Sequence, residues 1–281
     1  MRRAGHHVAA VSAVSQASRD RAEEMLPGVP IRPVDEVVAG CHLVFLTIPD
    51  DALPQLVSGL AALGTFPEGQ IVVHTAGRYG TSVLAPAGPT VVPLALHPAM
   101  TFTGTPIDLS RLLECYFAVT SSDLARPLAE MLVVELGGTP LWVAEEDRGT
   151  YHLALAHGAN HLVTVIAQSL QLLSAAGIPE PRDLLRPLVE AALDNALLTG
   201  DGALTGPVAR GDVGTLAQHL ALVAHQPAEI RTAYRALALA TTRRAMAAGR
   251  LAPQLAEPIL ALLANGDGNA DPPAHQPPEA Q

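Results

Sequence analysis

The stretch His42-Leu43-Val44-Phe45-Leu46-Thr47-Ile48-Pro49-Asp50-Asp51 decides the fold. Leu43 to Leu46 is continuously apolar, with no alternating polar positions. Such a strand must be covered on both faces, which is the condition of a parallel sheet between two layers of helix. Pro49-Asp50-Asp51 ends the strand and opens a helix over Ala52–Leu63. Outward from this point the theme repeats. His7–Ser12 reads as a strand followed by a polar helix, Ala17–Leu26, then a short strand, Val29–Arg32, and a short helix, Val34–Ala39. Gln70–His74 and Val91–Leu96 read as further strands. Tyr116–Thr120 and Pro140–Val143, with the helix Asp123–Leu136 between them, extend the sheet. Residues 1–146 therefore read as an α/β domain with a parallel sheet covered on both faces.

From Asp147 onward the period changes to that of helices: Tyr151–Ala176, Pro181–Leu198, Val213–Val223, Pro227–Arg250 and a shorter one near Ala252–Ala264. Residues 147–264 form an all-α domain on this reading. Residues 265–281, rich in Pro, Gly, Asp and Asn, read as a disordered tail. Inside the helical part, Ala203-Leu-Thr-Gly-Pro-Val-Ala-Arg-Gly-Asp212 is a costly break. It is either a turn, with Gly206-Pro207 stopping one helix and Asp212 capping the next, or a loop that presents Arg210 to an anion.

Composition narrows the chemistry. Hydrophobic residues at 49% and charged ones at 16% describe a globular chain with enough length for two domains. The net charge of −10 argues against nucleic acid as partner. No run of apolar residues is long enough to span a bilayer, and the first residues lack a signal-peptide core, so no membrane association is expected. Two cysteines, Cys41 and Cys115, suit a reducing, cytoplasmic setting. All 17 cationic side chains are arginine, so no Schiff-base, P-loop or proton-donating lysine exists. Proton transfer falls to His, Tyr, Asp, Glu or Cys.

The beginning of the sequence departs from a doubly wound nucleotide-binding fold, whose central first strand leads into a Gly-x-Gly-x-x-Gly phosphate turn. Met1-Arg2-Arg3-Ala4-Gly5 instead reads as the last turn of a helix with Gly5 as its cap. The first strand and the glycine loop are therefore expected to be missing from this sequence, through a start placed too late or a true truncation.

Strand ends are where such a sheet builds its site. Ile48-Pro49-Asp50, His74-Thr75-Ala76-Gly77 and His97-Pro98 are the candidates, with His74 and His97 equally readable as turn residues. Ser12, Ser15 and Arg19, with no acidic residue after that first strand, lean toward NADP over NAD. On the helix near Tyr151, His152 and Asn160 lie roughly 80° apart, two turns along one side, which suits holding and protonating a carbonyl oxygen. A polar helix face is the alternative. His157 and His161 have the spacing of zinc ligands, but no third ligand is evident and no metal is expected. Asn195, Thr205, Arg210 and Asp212 are the helical half's candidates for binding substrate. Arg210 serves as the carboxylate clamp.

The motifs Phe45–Ala52, Val73–Gly77, His97–Phe102, Tyr151-His152 with Asn160, and Ala203–Asp212 occur in this order in one family. The chain resembles the Rossmann-like NADP oxidoreductases with a C-terminal helical domain of uncharacterised function. These are distant relatives of 6-phosphogluconate dehydrogenase, pyrroline-5-carboxylate reductase and deazaflavin-linked NADP oxidoreductases. Some members resemble an alternative type of ketopantoate reductase in pantothenate synthesis. The resemblance implies an NADP(H)-linked reductase of a small 2-oxo acid such as ketopantoate, a site in the cleft between domains, and a homodimer formed through the helical half. Pro49, Asp50, Thr75 and Gly77 would line the cofactor cleft, with Ile48 beside them and Ser12, Ser15 and Arg19 near the adenine ribose. His97 and Asn160 would hold the carbonyl, His152 would donate the proton, and Arg210 would bind the carboxylate. The alternatives are an imine reductase similar to pyrroline-5-carboxylate reductase, and a non-catalytic binding protein on the same fold. The missing glycine turn favours the last.

Overall fold

The computed structural model describes residues 1–264; the chain divides into two compact units, Met1–Val163 and the residues from Thr164 onward. The sequence reading divided the chain between 146 and 147. The helix that begins at Arg148 instead belongs to the first unit. The tail expected over 265–281 lies outside the described residues.

The first unit runs α1 (Gln16–Met25), α2 (Val34–Ala39), β1 (Leu43–Leu46), α3 (Leu53–Ala62), β2 (Ile71–His74), β3 (Val92–Pro98), α4 (Asp108–Arg111), β4 (Tyr116–Thr120), α5 (Arg126–Glu135), β5 (Thr139–Trp142) and α6 (Arg148–Leu155). The five strands pair in chain order. β1, β2 and β3 are parallel, β4 runs antiparallel to β3, and β5 is parallel to β4. The expected all-parallel sheet is thus a mixed one. Between Pro98 and Tyr116 the only helical pieces are the single turn α4 and the short turn Leu112–Glu114, too little to carry a parallel crossover, so the chain returns antiparallel.

Alternation along the strands explains why both faces are apolar. Val44, Leu46 and Val72 pack into a core with Val38, Leu53, Val57, Leu60 and Leu84. Leu43, Phe45, Ile71 and Val73 point the other way, into a core with Leu94, Leu96, Phe117, Val119, Leu132 and Val133. α2 and α3 cover the first face and α5 the second.

His7–Ser12 and Val29–Arg32, expected as strands, are not strands of this sheet. They meet only at one isolated parallel bridge, Val11 to Ile31. A single bridge cannot propagate, because neither segment lies beside β1, whose only partner among the described strands is β2. The first residues do form a short helical turn, Arg2–Ala4, closed by Gly5 at φ 87°.

The second unit holds most of α7 (His161–Ala175), then α8 (Pro181–Thr199), α9 (Gly206–Arg210), α10 (Val213–Val223), α11 (Ala228–Ala247) and α12 (Pro253–Ala264). Its core is Val208, Ala209, Leu216, Ala238, Ala245, Leu251, Ala256, Ile259 and Leu263, from α9 to α12. α7 and α8 bury no residue. Two expectations change here. The single helix over Tyr151–Ala176 is α6 and α7 joined by a π turn, Ala156–Asn160. Gly206-Pro207 starts a helix instead of ending one. Proline lacks an N–H that a first turn would leave unpaired anyway, and Gly200 is the cap that ends α8.

Candidate functional site

β1, β2 and β3 run parallel, so their carboxyl ends lie on one side of the sheet, where open α/β sheets bind ligands. Three polar rings gather there. His97 comes from the end of β3, and Tyr151 and His152 from α6. His97 Nδ1 and the Tyr151 hydroxyl are 2.8 Å apart, with the rings edge to face at 5.6 Å. The His152 ring stands edge-on to His97 at 6.2 Å. Beneath both imidazoles is Gly77. A Cβ there would lie 2.5 Å from His152 Cδ2 and 3.0 Å from His97 Nε2, so only glycine lets the two rings close over the end of β2. This gives Gly77 a packing role beside the cofactor role expected of it.

His74 is a different kind of histidine. It is fully buried, its Nε2 lies 2.8 Å from the Gly80 carbonyl, and its Nδ1 accepts from the Ala76 N–H at 3.2 Å. Both nitrogens are satisfied with the proton on Nε2, so His74 fixes the turn after β2. Burial, foremost, holds its pKa below the ordinary value.

Arg148 is the residue that sequence reasoning missed. It is 1% exposed. Its Nε donates to Thr120 Oγ1 at 2.8 Å, and its Nη2 to the carbonyls of Ala95 at 3.0 Å and Ala118 at 2.9 Å. Nη1 is buried with no partner. None of the ion pairs among the described residues involves it. A buried cation without a counter-ion costs several kcal/mol, which neutral carbonyl oxygens only partly offset. Burial pulls its pKa down to about 10, while Tyr151 and Glu145 act in the opposite sense. The charge is felt nearby. His97 is pushed down to about 4, first by burial, then by Arg148 and His152. Tyr151 is pushed up to about 12 by burial, against the pull of Arg148. Both are therefore neutral in the middle of the pH range.

The other expected residues fall into three groups. Pro49 and Asp50 follow β1, and Asp50 Oδ2 is 3.5 Å from the Arg78 N–H. Thr75 is half-buried after β2, whereas the Ile48 side chain packs into the core. Ser12, Ser15 and Arg19 are exposed near the start of α1, where Ser15 Oγ caps the helix by accepting from the Ser18 N–H at 3.2 Å. Asn160 is exposed at the end of the π turn, whose wider winding removes the uniform 100° step on which its alignment with His152 rested. His157 and His161 place Nδ1 atoms 3.1 Å apart on the surface, and no group of three metal-ligating side chains occurs among the described residues.

The second unit carries the rest. Arg210 ends α9 and is exposed. Asp212 caps α10, accepting from the Thr215 N–H at 3.0 Å and the Thr215 hydroxyl at 2.7 Å. Its side chain is thus occupied by the cap. Thr205 and Asn195 are exposed, and their side chains make no hydrogen bond among the described residues. A second missed pair lies on α10 and α11, where His219 Nδ1 is 2.7 Å from the Tyr234 hydroxyl.

Fit to a nicotinamide dinucleotide is uneven. A helix N-terminus capped by Ser15 with Arg19 one turn on has the donors for a phosphorylated ribose, and Pro49, Asp50 and Thr75 sit at strand ends that suit the nicotinamide half. No Gly-x-Gly-x-x-Gly run occurs in the sequence to cradle the pyrophosphate.

Two family models match the sequence, and the second spans the division between the two units. The Rossmann-like domain matches residues 1–98, and the domain of unknown function DUF2520 matches residues 115–241. No curated protein matches the sequence. Among solved structures, one provisionally assigned as an NADP oxidoreductase, from Bacteroides fragilis, is 22% identical with a TM-score of 0.71, covering 86% of this chain and 90% of that one. An imine reductase from Pseudomonas sp. is 18% identical with a TM-score of 0.60, over 90% and 91% of the two chains. A Thermotoga maritima protein is 19% identical with a TM-score of 0.57, over 84% and 90%. At these identities the likeness shows the fold. No helix among the described residues is long and apolar enough to cross a membrane. The chain has a Rossmann-like domain followed by a helix-rich region, and its residues 115–241 are similar to the domain of unknown function DUF2520.

Proposed function

We propose that this chain is an NAD(P)H-dependent reductase of a small carbonyl or imine compound, with NADPH preferred and a 2-oxo acid such as ketopantoate as the substrate class to test first. The observation that carries the reading is the His97–Tyr151–His152 cluster over Gly77 at the carboxyl ends of the parallel strands. Two partly exposed imidazoles there suit polarising a carbonyl or imine and supplying a proton. The whole-length likeness to an imine reductase and to an assigned NADP oxidoreductase supports the same reading. A bound nicotinamide would supply the hydride. This chain's part is to hold the oxygen or nitrogen with His97, to provide the proton from the imidazole cluster, and to keep the reacting group beside Gly77. Arg210 is the proposed carboxylate contact of the helical unit.

The test is a fluorescence titration with NADPH and NADH, followed by a panel of 2-oxo acids and cyclic imines with cofactor oxidation as readout. Binding of NADPH and turnover of one class support the reading. Absence of any nucleotide binding overturns it and favours a non-catalytic binding protein.

The helical unit is also proposed to form a homodimer. Leu184, Leu188, Leu193, Leu197 and Leu198 of α8 are exposed, an apolar surface that a partner would cover. Light scattering on the wild type and on Leu188→Glu checks it, a dimer turning to monomer being the expected outcome.

A further inference from the structure

We infer that Tyr151, His97 and Arg148 form a proton relay: the Tyr151 hydroxyl donates to His97 Nδ1, His97 Nε2 carries the proton delivered to the substrate, and the buried Arg148 guanidinium is the counter-charge for the phenolate left behind. The inference rests on the reductase reading above and assigns the proton within it to His97 backed by Tyr151, where the sequence reading gave it to His152.

Geometry carries the assignment. The Tyr151 hydroxyl has one side-chain partner among the described residues, His97 Nδ1 at 2.8 Å. The phenol keeps its proton near neutrality, so it is the donor and Nδ1 the acceptor. That fixes the remaining imidazole proton on Nε2, the nitrogen over the backbone of Gly77. No side-chain hydrogen bond to His152 exists among the described residues, so nothing fixes its tautomer. Arg148 supplies what the relay lacks. Its charge is buried, bonded only to neutral oxygens, and has a free Nη1. Such a charge is most favourable when a negative group forms beside it.

The step balances. As the carbonyl carbon accepts a hydride from the reduced nicotinamide, the C=O π pair moves onto oxygen. That oxygen takes the Nε2 proton of His97, while Nδ1 takes the Tyr151 proton and the phenolate oxygen keeps the electron pair. The imidazole ends neutral with its proton on Nδ1, and water later reprotonates Tyr151. The groups facing His97 are Arg148, Tyr151 and His152 from α6, His74 from β2 and Asp50 after β1. Of the charges, Arg148 discourages a second proton on the ring and Asp50 favours one. Tyr151 faces Arg148 and Cys115.

Two spectra on the full chain test this without turnover. Imidazole ¹⁵N NMR, with His97 assigned through His97→Gln, is expected to show the Nε2–H tautomer in the wild type and a mixture in Tyr151→Phe. ¹⁹F NMR of the protein carrying 3-fluorotyrosine, assigned through Tyr151→Phe, follows ionisation at position 151. The midpoint is expected to rise by about one pH unit or more in Arg148→Gln, which keeps hydrogen-bond donors but loses the charge, and to stay near wild type in Arg148→Lys. An Nδ1–H tautomer in the wild type overturns the relay. So does an unmoved midpoint in Arg148→Gln. The wild-type tautomer decides even if Arg148→Gln does not fold. A chain that binds no nucleotide would sink the reductase reading and leave these spectra to decide the proton network on their own.

Discussion

His97 with Tyr151 and His219 with Tyr234 are nearly the same contact made twice. In each, a tyrosine hydroxyl meets histidine Nδ1, at 2.8 and 2.7 Å, with rings edge to face at 5.6 and 5.9 Å. What surrounds them differs. The first pair sits at the carboxyl end of β3 in the mixed sheet and has a buried arginine with no ion-pair partner among the described residues beside it. The second joins α10 to α11 near Asp212, a carboxylate already committed to capping a helix. A histidine–tyrosine bond by itself is therefore a way of tying two elements together. The buried cation is what turns one of them into candidate chemistry.

The sharpest way to break this comparison is to remove both hydroxyls in turn. Tyr151→Phe is expected to lower kcat about a hundredfold, the scale of a lost general acid. Tyr234→Phe should leave kcat unchanged and act on stability alone. Steady-state rates on the substrate found by the panel check this, and equal losses in both variants would erase the distinction. Next in size is a pH effect. His97 has a folded pKa of about 4 against an ordinary 6.5, so the unfolded chain binds the extra proton first. The stability from its neutral form is full above about pH 6.5 and is lost as pH falls toward 4, on the order of 3 kcal/mol in all. Urea unfolding between these limits should show a slope in the wild type that becomes shallower in His97→Gln, buried His74 keeping its own share.

A smaller contrast comes from two glycines. At Gly77 a methyl group would collide with the His152 and His97 rings. Gly77→Ala should cost about 1–3 kcal/mol and, by displacing an imidazole, lower kcat about tenfold. At Gly211 the backbone has φ 77° and a Cβ would lie 3.0 Å from Leu255 Cβ. Gly211→Ala should cost about 1 kcal/mol through strain and leave kcat alone. Thermal melts beside rates separate the two.

The sheet was largely legible because a strand covered on both faces needs continuous apolar residues, as Leu43–Leu46 and Phe117–Val119 show. His7–Ser12 has the same local pattern and failed, since a strand also needs a neighbour and pattern alone does not supply one. His97, Gly77 and His152 were found because polar and small residues at strand ends stand out against apolar runs. Arg148 was not. It follows Glu145-Glu146-Asp147, and a charge run of that kind reads as solvated surface. Only the fold reveals that its side chain turns inward to the carbonyls of β3 and β4. The π turn was equally invisible, because no residue type marks it.

The gentlest test returns to Ala203–Asp212, where turn and anion loop were both open. Asp212 is used up by Thr215, and hydrogen bonds from the Thr215 N–H and hydroxyl hold its carboxyl below the ordinary carboxylate range. A carboxyl with a depressed pKa stabilises the fold above its unfolded pKa, and this is lost as pH falls through the folded value. Asp212→Ala should therefore lower Tm at neutral pH, less so in acid, with KM unchanged. Arg210, exposed at the end of α9, has no hydrogen-bonded partner among the described residues. Arg210→Ala should leave Tm unchanged and raise KM for a carboxylate substrate, the signature of lost ground-state binding. If instead both variants move KM together, Asp212 orients the arginine as well as capping α10. The two halves of the motif would then be one device.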